Sequence, residues 1–460
     1  MNKKKLILSI LVLSLPAIGE MALNTLLGFT DTVMISRLIG KNALAGVGFA
    51  NQIVYTLIFI FSSFNTGGTA IISRKYGEKN YDEMNKVAGE VISINLILGI
   101  IITLLAISFS HMIFNIYDMT PLVEQMTIDY FTIVAYGMPF MFLSFSFTAI
   151  LRGSGDTKTP MIITGIVNIT NIIGNYVLIT GWGPFPALGV QGTALATTIS
   201  RGIATALYIK ILFINDNVTN IKIKDLIITK FNLKPLWKLS YPGAIEQGSM
   251  QISFVIVGVI VSILDTFSEA AFRILINIES ISFMPAVGLS IAAATLVGKA
   301  LGEKDYKKAK EIGYVSSFLG VTWGIFMGII FFFFPGQLIS IFTTDTKLIT
   351  TGIFAMTIAG FNQPLLNYMI VQGGALRGAG DTRNVMIITT FRLWIIFVPL
   401  TYILVSYLGF GIEAMWIAEI ISFVITIPII FKRFYNGRWL DIKIYSEHPG
   451  RTKEISSDTI

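Results

Sequence analysis

The chain has 460 residues, of which 53% are hydrophobic and only 13% are charged, with 34 Lys and Arg against 27 Asp and Glu. Soluble globular domains carry about 25% charged residues, so this composition predicts a membrane protein and excludes an ordinary soluble domain. The sequence contains no cysteine, which excludes a disulfide framework and any metal or redox site built on thiols.

Twelve apolar runs follow one another along the chain. Each is about 20 residues or longer, enough to cross a bilayer core as a helix. The opening "MNKKKLILSILVLSLPA" imitates a signal peptide, but its apolar character continues past Pro16, so we expect a retained first span. The sequence therefore predicts an all-α integral membrane protein. The predicted spans are 6–36, 43–72, 88–110, 127–150, 160–182, 189–213, 237–264, 269–297, 313–334, 349–375, 384–407 and 410–431.

The distribution of basic residues predicts how these spans are oriented. Most Lys and Arg residues fall at the amino terminus, in the loops after even-numbered spans, or in the final tail. Basic residues concentrate on the cytoplasmic side of membrane proteins, so we expect a multi-pass protein of the plasma or inner membrane with both termini in the cytoplasm. The net charge of +7 thus reflects topology, and we expect no nucleic-acid partner.

The second half of the chain repeats features of the first. The stretch "LRGSGDTKTPMIIT" at 151–164 returns as "LRGAGDTRNVMIIT" at 376–389, and "YGEKNY" at 76–81 returns as "LGEKDY" at 301–306, each at an offset of 225 residues. These matches indicate two homologous halves of six spans each. Because six is even, both halves enter the membrane in the same orientation, which predicts a pseudo-twofold axis along the membrane normal. Transporters of this architecture bind substrate between the halves.

The repeat divides the chain into four parts. We expect an amino-terminal lobe at 1–213, a Lys-rich cytoplasmic linker at 214–236, a carboxy-terminal lobe at 237–436 and a polar, disordered cytoplasmic tail at 437–460. The repeated "RGxGDT" motif lacks the Gly-Lys-Ser/Thr ending of a phosphate-binding P-loop, so we interpret it as a tight turn between two helices.

Several motifs resemble those of the multidrug and toxic compound extrusion family. The resemblance lies in the paired "LRGxGDT" loops, in "DTVMISRLIGKNALAGVGFA" after span one, in "GPFPALGVQGTALATTIS" entering span six and in "ISFMPAVGLSIAAATLVGKALGEKD" around span eight. It covers residues 6–436. The resemblance implies a twelve-helix antiporter that exports bulky, often cationic or amphipathic compounds while sodium ions or protons enter. It implies no enzymatic activity and no cofactor beyond the coupling ion, and we expect a monomer that contacts small organic substrates and membrane lipid.

Carboxylates inside the predicted spans are the first candidates for a functional site. An ionised carboxylate at the centre of a membrane helix costs about 2.5–3.5 kcal/mol, so its presence indicates function. Glu20 and Asp31 are eleven residues apart on span one. This spacing places them about 16 Å apart along the axis and within about 20° of one face, with Asn24 near the same line.

Asp31 matches the position at which the family places an essential carboxylate in its first lobe. The family's partners on span five are an Asn and, four residues later, often an Asp; the matching residues here are Asn171 and Asn175. Thr193, or a neighbouring threonine of "GTALATT", is the expected hydroxyl partner. Carboxylate, amide and hydroxyl oxygens suit a hard cation, so the resemblance implies a sodium site at Asp31, Asn171 and Asn175. The alternative is a polar network that only holds helices together. The missing second acid favours sodium over protons.

Glu20 and Glu246 occupy matching places in the two halves, each four residues after a proline. If the twofold holds, the two carboxylates face each other in the cytoplasmic half of the cleft, where they could bind cationic substrate together with Asn24 and Gln247. The alternative is that each glutamate pairs with an Arg or Lys as a tie between helices.

The remaining charges inside spans have structural interpretations or none. We interpret Arg273, Glu279 and Arg392 as structural charge partners, and we leave Glu419 unassigned.

Two other functional classes compete with an efflux antiporter. A flippase for lipid-linked oligosaccharide or peptidoglycan precursors would share the architecture, but it should show an Arg- and Lys-rich cavity and often fourteen spans. A membrane-embedded enzyme should show a His-rich metal set or paired catalytic acids, and the sequence has only two histidines.

Overall fold

A computed structural model describes residues 3–62, 65–214 and 219–444, and all regular structure within these ranges is helical. The first half contains α1 Lys3–Leu38, α2 Lys41–Ser62, α3 Asn65–Gly77, α4 Tyr81–Phe114, α5 Pro121–Tyr136, α6 Met138–Gly153, α7 Lys158–Thr180 and α8 Gly189–Ile209. The second half contains α9 Lys230–Ser262, α10 Thr266–Gly302, α11 Tyr306–Phe333, α12 Pro335–Ser340, α13 Thr346–Gly378, α14 Thr382–Phe391, α15 Val398–Ser406 and α16 Glu413–Tyr435. Two π-helical turns, Lys210–Ile214 and Arg392–Phe397, and the 3₁₀ turn Ile223–Leu226 complete the described helices.

These helices account for the twelve predicted spans. Ten helical segments in the described ranges are long and apolar enough to cross a membrane, and the α5–α6 pair, bent by 50° at Gly137, forms another span. The twelfth is α13, whose 33 residues lie at predicted span ten but include buried amide side chains that lower its hydropathy. The prediction of an all-α membrane protein of two six-span halves is confirmed.

The linker and the tail are more ordered than their composition suggests. Helix α9 begins at Lys230, within the predicted linker, while 215–218 lie outside the described residues. The hydroxyl of Thr229 donates to Glu90 Oε1 at 2.7 Å, which fixes the start of α9 to α4. Trp439, in the predicted polar tail, is fully buried. The remainder of that tail, 445–460, lies outside the described residues.

The two halves meet at the ends of helices that the charge pattern places in the cytoplasm. Ser73 and Gly77 of α3 pack directly against Gly298 and Gly302 of α10, so closely that a methyl group on Gly77 or Gly302 would collide with the backbone of the other helix. We call these four residues the cytoplasmic crossing. They form two pairs at the repeat offset of 225, so two equivalent helices cross near the pseudo-twofold axis. Small residues allow such close helix approach in membranes.

Further contacts between the halves extend from this crossing toward the membrane centre. Thr295 of α10 donates its hydroxyl to the backbone oxygen of Arg152 at 2.9 Å. Near the middle of α1 and α10, Thr25 Oγ1 donates to Met284 Sδ at 3.2 Å. The two halves are therefore in contact from this crossing to the middle of α1 and α10, which closes the cleft between them at this end.

Candidate functional site

Asp31 lies at the centre of a hydrogen-bonded cluster formed by α1, α7 and α8. Asn175 Nδ2 donates to Asp31 Oδ1 at 2.7 Å and to Asn171 Oδ1 at 2.9 Å. Asn171 Nδ2 donates in turn to Thr197 Oγ1 at 3.2 Å. Asn171 and Asn175 are one helical turn apart on α7 and are 1% and 0% exposed, so both amides point into the protein. The structure brings Asp31, Asn171 and Asn175 together, and we call these residues with Thr197 the Asp31 cluster.

The threonine bonded to this cluster is Thr197, four residues after the expected Thr193. Thr193 supports it from one turn earlier, because its backbone oxygen accepts the Thr197 hydroxyl at 3.1 Å. The Thr193 hydroxyl is itself buried and has no hydrogen-bond partner in the described structure. The sequence had left open which threonine of "GTALATT" takes this place, and the two differ by one turn of the same helix face.

Two buried oxygens beside Asp31 lack donors. Asn175 Oδ1 and Thr193 Oγ1 have no partner among the described residues. A buried acceptor without a donor costs about 1–3 kcal/mol, so such atoms indicate space for water or an ion. Carboxylate, amide and hydroxyl oxygens are ligand types that suit sodium, and the single Asp31 carboxylate matches the charge of a monovalent cation. The described residues contain no group of three or more His, Cys, Asp or Glu that could hold a metal.

Arg201 is the cation associated with this cluster. It lies on α8 within electrostatic range of Asp31, as does the hydroxyl of Tyr55 on α2. The hydrogen bond described for the Asp31 carboxylate comes from a neutral amide, so its charge is influenced by Arg201 but is not held in a direct ion pair.

Glu20 and Glu246 are each paired with an arginine of the repeated "LRGxGDT" motif. Arg152 Nη2 donates to Glu20 Oε2 at 2.8 Å, and Arg377 Nη1 donates to Glu246 Oε1 at 2.9 Å. Thr389 Oγ1 also donates to Glu246 Oε1 at 3.2 Å. Both glutamates are buried, and the same tie is built in each half. This geometry corresponds to the alternative in which the glutamates join helices.

The two neutral candidates beside these glutamates stand apart from the ties. Asn24 is exposed one turn beyond Glu20, and Gln247 is half-buried next to Glu246. Neither side chain takes part in a described hydrogen bond.

A second buried cluster lies in the other half, among residues to which the sequence analysis gave no part in binding. Glu279 of α10 accepts from Gln363 Nε2 at 2.8 Å and from Trp416 Nε1 at 3.2 Å. Glu419 of α16 accepts from Asn362 Nδ2 at 2.8 Å. We call these five residues together with Arg392 the Glu279 cluster.

Arg392 supplies the positive charge of this cluster. Its Nη1 lies 3.6 Å from Glu419 Oε1 and donates to Ser422 Oγ at 3.2 Å, while the guanidinium stacks over the Phe423 ring at 4.3 Å. Arg392 begins a π-helical turn, an irregularity that is frequent at functional sites. The prediction that Arg392 is a charge partner agrees with this geometry, and the exposed Arg273 pairs with Glu269 at 2.7 Å.

The Glu279 cluster has one more acid than base. If Glu279 and Glu419 both ionise, Arg392 balances only one of them, so the cluster can take up a proton or a monovalent cation. Asn362 Oδ1 and Gln363 Oε1 are buried acceptors without a described donor. The signal in the sequence was the density of amides in span ten together with acids in spans eight and twelve.

The two clusters occupy positions that are not equivalent in the repeat. At the offset of 225 that pairs Gly77 with Gly302, Glu279 corresponds to Val54 and Glu419 to Ala194. At the offset of 226 that pairs Pro16 with Pro242, Asp31 corresponds to Val257. Each half therefore carries acids where the other carries apolar residues.

Comparisons with known proteins agree with this architecture. The MatE family model matches the chain twice, at residues 16–177 and 242–403. The chain is 32% identical over 431 residues to the probable multidrug resistance protein NorM of Thermotoga maritima, which covers 93% of this chain and 92% of that protein. It is 30% identical over 437 residues to a probable NorM of Mannheimia succiniciproducens, with 93% of each chain covered.

A solved structure has the same fold. It is described as the outward-facing conformation of a multidrug resistance MATE family transporter, and it matches with a TM-score of 0.86 at 22% identity over 94% of this chain and 96% of that chain. Because the family model matches once in each half and together covers more than half of the sequence, the chain belongs to the MatE family of multidrug and toxic compound extrusion transporters.

Proposed function

We propose that this protein is an antiporter that exports organic, mostly cationic or amphipathic compounds while a sodium ion or a proton enters. The observation that carries the proposal is the Asp31 cluster, in which a half-buried carboxylate accepts from the neutral amide of Asn175, and buried oxygens of Asn175 and Thr193 have no described partner. A carboxylate that is not held in a direct ion pair can bind a cation. The relatives named as probable multidrug resistance proteins support the substrate class.

The closed cytoplasmic side indicates which state of the transport cycle the structure represents. The crossing of α3 and α10 separates the cleft from the cytoplasm, so a cation would reach Asp31 from outside. Alternating access then requires the two halves to rock apart at this crossing and to close at the opposite end. We infer an outward-facing state, with both termini in the cytoplasm and one chain as the working unit.

Coupling requires that one carboxylate serve two ligands in turn. If Asp31 must be occupied either by the inward-moving cation or by a cationic substrate, each transition exchanges one for the other. The absence of a second acid on α7, where Asn175 stands, favours sodium over protons. The membrane potential contributes about 2.3 kcal/mol per charge and 100 mV to its entry.

Dye export from inverted membrane vesicles tests the proposal. A cationic fluorescent dye should accumulate in vesicles when an outward sodium gradient is imposed at constant pH, and a pH gradient alone should have the smaller effect. Accumulation with a pH gradient alone would assign protons as the coupling ion. If neither gradient drives dye movement in vesicles that contain the folded protein, the antiport proposal fails.

We assign Glu20 and Glu246 to structural ties in this state, and Glu246→Gln tests the assignment. Because the substitution leaves the Arg377 guanidinium without its partner, we expect a loss of about 3 kcal/mol in the free energy of unfolding. Dye affinity should change little. Thermal unfolding in detergent and dye binding by fluorescence measure the two effects separately.

The double variant Glu246→Gln with Arg377→Gln is the matched control. It removes both charges, so much of the lost stability should return. Weakened dye binding with an unchanged unfolding temperature would instead place the Glu246 carboxylate in contact with substrate.

A further inference from the structure

Residues 437–444, which we call the strap, leave the end of α16 and run along the cytoplasmic face. Gly437, with a φ of +69°, permits the turn that starts it, and Leu440 N donates to Gly437 O at 2.9 Å. The Trp439 ring stacks on Phe434 at 4.7 Å, and its Nε1 donates to Phe434 O at 2.8 Å. The first part of the strap is thus fixed to the carboxy-terminal half.

A charged tie secures the helix end from which the strap leaves. Arg433 of α16 donates through Nε and Nη2 to both carboxylate oxygens of Asp381, at 2.7 and 3.1 Å. Asp381 belongs to the second copy of the "RGxGDT" motif. In the first copy, the equivalent Asp156 accepts from the backbone N–H of Thr159 at 2.9 Å and caps its own helix. The tie between Arg433 and Asp381 therefore has no counterpart at Asp156 in the first copy of the motif.

The far part of the strap reaches the amino-terminal half. Arg74 Nη1 of α3 donates to the backbone oxygen of Ile442 at 2.9 Å. Ile444 packs against an apolar core that Ile71 and Ile72 of α3 form together with other residues of the first half and with Leu236 and Leu239 of α9. Arg74 follows Ser73 of the cytoplasmic crossing directly in the sequence, so the strap contacts α3 beside the point where α3 meets α10.

This placement has a mechanical consequence. The strap is fixed to α16 at one part and to α3 at the other, and these helices lie in different halves. When α3 separates from α10, the distance between the two attachment points must grow, so the bond from Arg74 to Ile442 breaks or the strap pulls away.

We propose that the strap is an intramolecular tether that holds the cytoplasmic side closed and must be released before each opening. The inference deepens the proposed function, because it adds a device that biases the transport cycle toward the outward-facing state. Arg74 makes a charge-assisted hydrogen bond beside the cytoplasmic crossing. It is a positioning residue, because it acts on the crossing through α3 and the strap.

Double electron–electron resonance between spin labels on the two halves tests the tether. The chain has no cysteine, so labels can be attached to Asp82→Cys and Lys307→Cys alone, which are exposed, equivalent residues in the first turns of α4 and α11. Arg74→Ala removes the bond from the α3 side, and Ile444→Asp weakens the packing from the strap side. Arg74→Ala should increase the population with a long label distance about tenfold, as loss of one hydrogen bond to a charged group predicts, and Ile444→Asp should shift it in the same direction.

Two further variants complete the experiment in the full-length protein. Arg438→Ala, which removes an exposed charge from the strap, should leave the distance distribution unchanged. Arg74→Lys retains a charged donor and should restore the short distance in part. An unchanged distribution in both Arg74→Ala and Ile444→Asp overturns the tether, and so does a shift in Arg74→Ala alone, which would show that Arg74 acts through other contacts.

The distance measurement needs no substrate and no ion gradient. A shift of the label distance in variants without gradient-driven dye export would support the tether and count against the antiport proposal alone. Gradient-driven dye export together with unchanged label distances would support the antiport proposal and count against the tether alone.

Discussion

Asp31→Asn should give folded, membrane-inserted protein that no longer exports dye. The substitution keeps the shape of the side chain and its hydrogen bond with Asn175, which lies 2.7 Å from Asp31 in the native cluster. It removes the negative charge that would attract the inward-moving cation, so the ion gradient can no longer drive export. We expect gradient-driven dye export to fall to the level of protein-free vesicles, while the yield and the unfolding temperature stay close to those of the native chain.

Asp129→Asn provides the matched control for this loss. Asp129 on α5 is also paired with neutral amides, with Gln125 at 3.0 Å and Gln191 at 3.1 Å, but it lies outside the Asp31 cluster. Export should survive this change. If Asp31→Asn itself exports at the native rate, the coupling site lies elsewhere, and the Glu279 cluster becomes the first candidate because Glu246 is already paired with Arg377.

Gly302→Ala should open the cytoplasmic side of the protein. A methyl group at Gly302 would collide with the backbone oxygen of Arg74, and helix backbones cannot yield as a flexible side chain can. Overpacking of this kind costs about 1–3 kcal/mol, which corresponds to roughly a 5- to 150-fold change in the ratio of closed to open molecules. Dye export should fall accordingly, and the long-distance population between spin labels on Asp82→Cys and Lys307→Cys should rise.

Gly248→Ala is the control for Gly302→Ala. Gly248 on α9 has open space around an added methyl group, so the same change of residue type should leave both export and label distance unaltered. Native export by Gly302→Ala would show that the crossing of α3 and α10 does not have to close this tightly.

The helices and their repeat were predictable from the sequence because each rests on local information. Hydrophobic length gives a membrane span, and a fixed offset gives a duplicated half. The boundaries moved where tertiary contacts override composition. Helix α9 starts at Lys230 because Thr229 and Asn232 donate hydrogen bonds to Glu90 on α4. Trp439 is ordered because its ring stacks on the ring of Phe434.

The candidate site was only partly predictable for a related reason. Asp31, Asn171 and Asn175 were found through the family pattern, and the structure then selected Thr197 over Thr193 by one turn of α8. The Glu279 cluster joins Glu279 to Trp416 across 137 residues, and no local pattern places three helices against each other. Whether a charged group in a span meets an arginine, an amide or a ligand is decided by such packing.

The unequal placement of acids in the two halves bears on how such a protein can arise and be rebuilt. A chain fused from two copies of the first half would keep a glycine at both positions of the Gly77 and Gly302 pair. It would, however, place a second serine where Gly298 stands, and Gly298 packs so closely against the Ser73 side chain that an added Cβ would collide with it. It would also carry the Asp31 cluster twice and lack Glu279 and Glu419 entirely. The symmetry of the repeat thus accounts for the contact between Gly77 and Gly302, whereas the residues that differ between the halves give each half its own chemistry. The fused chain would separate these two contributions.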